Sequence, residues 1–337
     1  MGSDIRAVIA GTGSFVPEKV LTNEDFARMV DTSDEWITTR TGIKTRHIAD
    51  NGMTTSDMAV EAGRRALADA GVAPEEVDLV ILGTFTGDRP LPATACRVQH
   101  KLGLTKAAAF DVAAACSGFL YSLAAGRSFI LSGMYRTVLV IGADHLSRFT
   151  DYTDRASCIL FGDGAGSALL KAAPTLGPEG KTGASGILAC ELGADGSGYE
   201  LMTVPAGGSE MGSTEETVKG RRHFMAIHGK EVFKFAAVKM QELVQRAVAS
   251  CGLTIDDVKL VVPHQVNTRI LDFAAQKLNL PKEKMFVNID RMGNTSAASV
   301  PMALDEARRA GLIRKGDVVV LVAFGGGLTW ASAVVRW

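Results

Sequence analysis

The chain lacks the features that mark several classes of protein. Its five cysteines are scattered, odd in number and without the spacing of a C-x-x-C or Cys/His metal site, so we interpret them as reduced cytosolic thiols. No stretch approaches the roughly 18 consecutive apolar residues of a membrane span. The first six residues show no apolar signal core. These absences predict a cytoplasmic protein that has no metal site and no membrane segment.

An excess of charge of one sign is also missing. The chain has 36 Lys and Arg against 37 Asp and Glu, a formal net charge of -1. Such a balance gives no general attraction to nucleic acid or to an anionic membrane, so an acidic partner must be bound by a local basic patch. The length of 337 residues, with 47% hydrophobic residues, favours two domain-sized units with ample core.

A complete dinucleotide-binding fingerprint is absent as well. The strand-like run before Gly11-Thr-Gly13 begins the pattern G-x-G-x-x-G, but Val16-Pro17 occupies the place of the third glycine. This departure disfavours a nucleotide-binding oxidoreductase.

What the chain does have is a cysteine at the start of a strongly apolar segment. Asp111-Val-Ala-Ala-Ala-Cys116 leads into a helical pattern whose only charge up to Ile130 is Arg127. At the first turn of that helix, unpaired backbone N–H groups and the helix dipole should lower the thiol pKa of Cys116 and make it a nucleophile. A packed core cysteine is the alternative that this stretch alone leaves open.

An internal repeat bears on that choice. The run from Ala70 resembles the run from Cys251, and the strand from Thr137 resembles the strand from Val318, both at an offset of 181 residues. Two matches at the same offset indicate a duplicated unit, and the alternation of strand and helix predicts parallel strands covered by helices. The offset pairs Cys116 with the turn that carries Asn294, and ligands gather at the carboxyl ends of such strands.

Three further features complete a candidate site. His264 follows a strand in Val262-Pro-His-Gln265, Asn294 follows a glycine, and Gly325-Gly-Gly interrupts two apolar strands. Taken singly, these fit a structural histidine, a turn asparagine and a plain glycine turn. Together with Cys116 they suit acyl transfer through a thioester, with hydrogen-bond donors that stabilise oxyanion or enolate charge.

These motifs carry a resemblance to a known family. Asp111-Val-Ala-Ala-Ala-Cys116, Val262-Pro-His-Gln265 and Gly293-Asn-Thr-Ser-Ala-Ala-Ser-Val-Pro301 resemble the β-ketoacyl-ACP synthases III, the initiating condensing enzymes of bacterial type II fatty acid synthesis. The set Cys-His-Asn separates the chain from elongating synthases, which use Cys-His-His. Thiolases carry a second catalytic cysteine near the C-terminus, where this chain has only glycines.

The resemblance implies a fold and a reaction. The fold is thiolase-like, with two duplicated α/β halves that form a five-layered αβαβα core, here expected as residues 1–175 and 176–337, and usually a homodimer. Cys116 takes an acyl group from acyl-CoA, and decarboxylation of malonyl-ACP then gives an enolate that attacks it, yielding β-ketoacyl-ACP, CoA and CO2. His264 and Asn294 hydrogen-bond the malonyl thioester, and the backbone N–H groups of Cys116 and Gly326 form the oxyanion hole. Acyl-CoA and malonyl-ACP are substrates, and no cofactor is expected.

The resemblance also assigns binding residues. Trp36, Arg40, Arg155 and Asn267 correspond to the family's contacts with CoA. The segment formed by Gln265, Val266, Asn267, Thr268 and Arg269 corresponds to its motif for binding the acyl carrier protein, and Lys234, Arg269 and Lys277 are candidates for a basic patch facing that acidic partner. A half-buried surface tryptophan and solvated charges are the alternatives for these residues.

Two departures from the family concern specificity. Leu91 stands where many relatives have a phenylalanine that shortens the acyl channel, so with Phe324 it is a candidate channel residue that admits primers longer than acetyl. Residues 175–222 also look longer than usual. The alternatives are a related condensing enzyme of secondary metabolism with another primer or acceptor, and a non-catalytic scaffold of the same fold, which the intact Cys-His-Asn set disfavours.

Overall fold

Two β-sheets and the helices around them form the described part of the chain. The computed structural model describes residues 5–175 and 185–337. The strands are β1 (Ile5–Phe15), β2 (Val20–Thr22), β3 (Thr45–His47), β4 (Leu79–Gly83), β5 (Ala108–Val112), β6 (Thr137–Asp144), β7 (Gly164–Pro174), β8 (Gly186–Ala194), β9 (Met202–Thr203), β10 (Ala226–Ile227), β11 (Val258–Pro263), β12 (Val318–Gly325) and β13 (Thr329–Arg336). The helices are α1 (Asn23–Ala27), α2 (Asp34–Thr41), α3 (Thr55–Ala70), α4 (Thr94–Lys101), α5 (Gly118–Leu131), α6 (Glu215–Lys219), α7 (Gly229–Ser250), α8 (Thr268–Lys277), α9 (Ile289–Met292) and α10 (Ser299–Arg309).

The two large sheets have related strand orders. The first runs β1-β7-β6-β4-β5 and the second runs β11-β12-β13-β8. Strand β4 pairs in parallel with β5 and β6, and β11 pairs in parallel with β12, whereas β7 and β13 pair antiparallel with both of their neighbours. The expectation of parallel strands is therefore wrong for half of the ladders, because β7 and β13 return without the crossover helix that a parallel connection needs.

The internal repeat is visible in the structure. Strands β6 and β12 begin 181 residues apart, as do helices α5 and α10. Strand β5 has a counterpart only in the single parallel bridge between Val261 and Met285. The second half is thus the same unit with one edge strand reduced to a bridge.

Five layers follow from where the apolar residues lie. Helices α3 and α4 cover the outer face of the first sheet, and α7 and α8 cover the outer face of the second. Helices α5 and α10 lie between the sheets, where one continuous core contains buried residues of both helices and both sheets. Helix α5 is buried on nearly all sides, as its sequence predicts.

Helix ends agree with the local sequence. Helix α3 ends at Gly71, whose φ of +62° is the left-handed conformation that glycine adopts most readily. Thr22 and Ser33 cap α1 and α2 through their side-chain oxygens, as predicted. The strand expected from Glu76 begins only at Leu79, because Pro74–Glu76 forms a 3-10 turn.

The expected linker between the halves is partly ordered into regular elements. Residues 171–219 contain the end of β7, the whole of β8, β9 and α6, and a 3-10 turn at Gly196–Leu201. The boundary between residues 175 and 176 adjoins residues 176–184, which lie outside the described residues, so the division into two units there stays a prediction. None of the described helices is long and apolar enough to cross a membrane.

Candidate active site

Cys116 lies on a short turn between the first sheet and the central helix. The turn Ala115–Ser117 is 3-10 in form, follows β5 and passes into α5 at Gly118. Cys116 therefore precedes the α-helix instead of standing in its first turn. A Cβ at Gly83 would lie 2.4 Å from the carbonyl carbon of Gly118, so the end of β4 contacts the start of α5 directly. This close approach fixes where the turn presents its thiol.

A second turn of the same kind faces the first. Residues Ser296–Ala298 form a 3-10 turn before α10, and Ser296 has a φ of +51° where the equivalent Ala115 has +45°. The two turns pack against each other. A Cβ at Gly142 would lie 2.2 Å from the Ala297 carbonyl oxygen, so no side chain fits there. The repeat thus brings the two helix starts together at one place.

Asn294 is held with its amide nitrogen available. Its Oδ1 accepts the Ser296 backbone N–H at 2.9 Å, while its backbone N–H donates to the Leu160 carbonyl at 2.9 Å. Because Oδ1 is the bound atom, the side-chain N–H groups of Asn294 are the donors left for a ligand. The side chain is buried, with 5% of the residue exposed.

His264 is a buried, neutral imidazole. It follows β11, and burial lowers the pKa of its ring to about 3. Its Nδ1 lies 2.6 Å from the Ser299 hydroxyl, which also accepts the Gln265 backbone N–H at 3.4 Å. A hydroxyl that accepts from Gln265 has its own hydrogen for Nδ1, which leaves the ring proton on Nε2. We therefore assign His264 as a hydrogen-bond donor through Nε2.

The glycine run approaches the nucleophile from the second sheet. A Cβ at Gly325 would lie 2.7 Å from the backbone nitrogen of Cys116, so only glycine permits this contact. Phe324, at the end of the same strand, lies edge-on to His264 with ring centroids 5.7 Å apart. Strand β12 therefore connects the thiol turn with the imidazole.

A cavity opens beside the thiol. Its volume is about 400 Å³, in the usual range for small-molecule sites. Its walls are mostly apolar: Phe85, Ala113, Ala115, Tyr199, Met202, Thr203, Val204, Met225, Gly326 and Gly327. Ala115 and Gly326 belong to the two segments that meet at Cys116, so the cavity begins at the thiol.

The thiol pKa differs from the sequence-based expectation. Burial raises the pKa of Cys116 to about 12, and the charge of Asp144 adds to the rise, while the Ser296 hydroxyl opposes it. The prediction of a lowered pKa is wrong for this unliganded structure, because the turn is 6% exposed and precedes the helix. The resting thiol is neutral.

The predicted CoA residues form one surface cluster. The guanidinium groups of Arg40 and Arg155 lie over the Trp36 ring, 4.6 and 4.5 Å from its centroid. Asn267 donates from its amide to the Arg40 carbonyl at 2.9 Å and caps α8 through Oδ1. Residues 158–162 lead inward from the Trp36 cluster to Asn294.

The predicted carrier-protein motif divides into buried and exposed parts. Gln265 is 1% exposed, and its amide holds the 286–289 loop by accepting the Asn288 and Ile289 N–H groups, so it is not a surface contact. Val266 packs on the core beneath α7 and α8, and Thr268 is half-buried. Arg269, Lys234 and Lys277 are exposed on these two helices.

Leu91 lies away from the cavity of its own chain. Its side chain is 83% exposed, the most exposed of the large hydrophobic side chains in the described residues. Phe324, the other predicted channel residue, is buried beside His264.

Sequence reasoning missed three residues that support the site. Ser299 orients His264, Ser296 lies between the thiol and Asp144, and Asp144 is a fully buried carboxylate at the end of β6. The offset of 181 residues pairs Ser296 with Ala115 and could have pointed to it. Asp144 gave no such signal, because its partners come from distant segments.

The five layers and the paired turns define the thiolase-like fold, and the buried thiol beside two donors makes the chain an acyltransferase of that class. Family models described as 3-oxoacyl-[acyl-carrier-protein (ACP)] synthase III and its C-terminal part match residues 110–196 and 248–337. A β-ketoacyl-[acyl-carrier-protein] synthase III of Caldanaerobacter subterraneus is 52% identical over 337 residues, covering 100% of this chain and 99% of the relative.

Solved structures agree with the sequence relatives. The 3-oxoacyl-[acyl-carrier-protein] synthase III of Aquifex aeolicus is 44% identical with a TM-score of 0.88, covering 98% of this chain and 100% of that one. The priming β-ketosynthase of the R1128 polyketide pathway is 34% identical with a TM-score of 0.88, covering 98% and 96%. The chain belongs to the 3-oxoacyl-[acyl-carrier-protein] synthase III family.

Proposed function

We propose that this protein is the initiating condensing enzyme of fatty acid synthesis, a β-ketoacyl-ACP synthase III. An acyl group passes from acyl-CoA to Cys116, and malonyl-ACP then loses CO2 to give the enolate that attacks the acyl-enzyme. The observation that carries the proposal is the placement of a neutral Nε2 donor and the Asn294 amide near a buried thiol. No cofactor is needed, because the thiol supplies the nucleophile and the donors stabilise the enolate.

The division of labour follows from the chemistry of each group. Attack by Cys116 makes an oxyanion that the backbone N–H groups of Cys116 and Gly326 stabilise. Decarboxylation needs a place for negative charge more than it needs a base, and two neutral donors provide it at no cost of neutralising a cation. The neutral state of His264 is maintained by burial, because its pKa of about 3 lies well below neutral pH.

The direct test is a balanced reaction. Acetyl-CoA and malonyl-ACP together should release CoA and CO2 in equal amounts and yield a β-ketoacyl-ACP, with ping-pong kinetics. Condensation with CoA-linked or other non-ACP acceptors, but not with malonyl-ACP, would instead assign the chain to a condensing enzyme of secondary metabolism, the kind of pathway that the R1128 ketosynthase serves.

The CoA moiety is proposed to bind at the Trp36 cluster. Both arginines already lie over the indole ring, so an adenine that stacks there must displace one of them, and the freed guanidinium then faces the phosphates. We also propose that Asn267 contacts the pantetheine arm, since it lies beside the end of α2.

Replacing Trp36 by alanine should raise KM for acyl-CoA about 10-fold, because one stacking contact is lost. KM for malonyl-ACP should change little. Steady-state kinetics with each substrate varied in turn measures both, and Arg28→Ala, an exposed arginine on neighbouring α1, is the matched control. Equal changes in both constants would contradict a CoA-specific role.

The carrier protein is proposed to dock on the exposed face of α7 and α8. Lys234, Arg269 and Lys277 give this face a local positive charge in a chain of net charge -1, which suits an acidic partner. We also place the protein in the cytoplasm, since all five cysteines are free thiols.

Leu91 is proposed to set primer length from the partner subunit of a homodimer. The side chain is exposed and lies off its own cavity, so it can close an acyl channel only by entering that of a second copy. A leucine leaves more room than the phenylalanine of many relatives.

We therefore expect substantial rates with isobutyryl-CoA as well as acetyl-CoA, and measurable rates with octanoyl-CoA. Leu91→Phe should reduce the longer primers about 10-fold relative to acetyl-CoA, the scale of discrimination that a few methylene groups give. Relative kcat/KM values for the three primers measure this. A steep fall beyond acetyl-CoA in the unaltered protein would contradict the role of Leu91.

A further inference from the structure

A buried hydroxyl lies between the Cys116 thiol and a buried carboxylate. The Ser296 side chain lowers the pKa of both Cys116 and Asp144, so it lies beside both groups. Among the described residues, however, its Oγ completes a hydrogen bond with no partner, although Ser296 is only 1% exposed. A buried hydroxyl without a partner costs free energy, so its presence here calls for an explanation.

The turn itself does not require this hydroxyl. The equivalent turn in the first half has Ala115 in the same left-handed conformation, with a φ of +45° against +51° for Ser296. Non-glycine residues adopt that region at a cost and are concentrated at functional sites. The Ser296 backbone is anchored by the bond from its N–H to Asn294, which fixes Cα while the hydroxyl remains free to rotate.

Asp144 does not depend on Ser296 for its hydrogen bonds. Its Oδ1 accepts from the Thr84 and Thr86 hydroxyls at 3.0 and 2.8 Å, and its Oδ2 accepts the Ala297 N–H at 3.2 Å. Burial raises its pKa, and no Lys, Arg or His forms an ion pair with it in the described ranges. The carboxylate therefore stays satisfied when the Ser296 hydroxyl turns away.

We propose that Ser296 is a positioning residue for the nucleophile, whose hydroxyl turns from Asp144 to the Cys116 sulfur and donates to it when the thiolate forms. This rests on the proposed role of Cys116 as the acyl-carrying group. The hydroxyl stabilises the charged sulfur, and Asp144 opposes that charge from behind. The two residues thus act on the ionisation of one thiol in opposite directions.

Other charged groups do not account for such an effect. The elements packed against the thiol turn are α5, β12, β13 and the turn at Ser296. Their charged residues are Arg127, which donates to the Ile187 and Leu188 carbonyls, and Arg336 at the far end of β13. His264, which follows β11, is neutral at working pH because burial lowers its pKa.

The test is the rate at which iodoacetamide alkylates Cys116 between pH 6 and pH 11, followed on the Cys116 peptide by mass spectrometry. Ser296→Ala should slow alkylation at neutral pH about 10-fold by moving the thiol midpoint upward, a tenfold change being about one pKa unit. Asp144→Asn should speed it and move the midpoint downward. Ser296→Gly relieves the left-handed backbone and should reproduce the alanine result if alanine impairs folding.

Ser122→Ala is the matched control, because Ser122 is a buried serine on α5 whose hydroxyl donates to the Gly118 carbonyl. It should leave the alkylation profile unchanged. Unchanged alkylation in both Ser296 variants, or midpoints that move the same way in the Ser296 and Asp144 variants, would overturn the proposal. Because alkylation needs neither acyl-CoA nor carrier protein, this outcome is independent of whether the condensation reaction is observed.

Discussion

Replacing His264 or Asn294 by alanine should slow condensation with malonyl-ACP by about 10²- to 10³-fold while acylation of Cys116 proceeds, because each change removes one donor aimed at developing negative charge. His264 supplies Nε2–H and Asn294 supplies its amide, and both are held by second groups, Ser299 and the Ser296 backbone. Their effect belongs to the second half of the reaction, where the enolate forms.

Half-reactions separate the two roles. Acylation is followed as covalent acyl-enzyme, and decarboxylation is followed as CO2 released from malonyl-ACP by the acylated protein. Ser299→Ala, which keeps the imidazole but loses its hydrogen-bond partner, should give a smaller loss of the same kind. If His264→Ala abolished acylation as strongly as decarboxylation, the imidazole would be the base for Cys116 and our assignment would be wrong.

Replacing Cys116 by alanine should abolish condensation, with a loss of about 10⁴-fold or more, because no other described group can carry the acyl chain at that position. The protein should remain folded, since Cys116 is a small side chain on a turn held by packing of the two halves. Product formation with acetyl-CoA and malonyl-ACP measures the loss.

Cys190→Ala is the matched control for this experiment. Cys190 is a half-buried free thiol on β8, and burial raises its pKa to about 11 as burial raises that of Cys116. This variant should retain full activity. Comparable losses in the two variants would mean that thiol replacement acts through stability instead of chemistry.

The sequence predicts the fold well where the signal is periodic. Helix α7 lies over Gly229–Ser250 as expected, because its apolar residues recur at helical spacing. Strand β7 was not foreseen, since its small residues, such as Gly164 and Gly166, lack the β-branched pattern of a buried strand. Its antiparallel pairing depends on long-range contacts with β1 and β6 that no local pattern encodes.

Depth within the fold explains what sequence reasoning about the site left out. A helix start suggests a lowered thiol pKa, yet the surroundings of Cys116 raise it through burial. Asp144 joins Thr84, Thr86 and Ala297 only because β4, β6 and the second turn meet at one edge. The equivalence of the two turns, by contrast, was legible in the repeat.

The central claim is tested most directly by intact-protein mass spectrometry during turnover. Incubation with acetyl-CoA should add one acetyl group, mapped to the Cys116 peptide, and addition of malonyl-ACP should remove it as acetoacetyl-ACP appears. A stable protein mass with acetyl-, isobutyryl- and octanoyl-CoA alike, or an acyl group found on another residue and untouched by malonyl-ACP, would contradict the account.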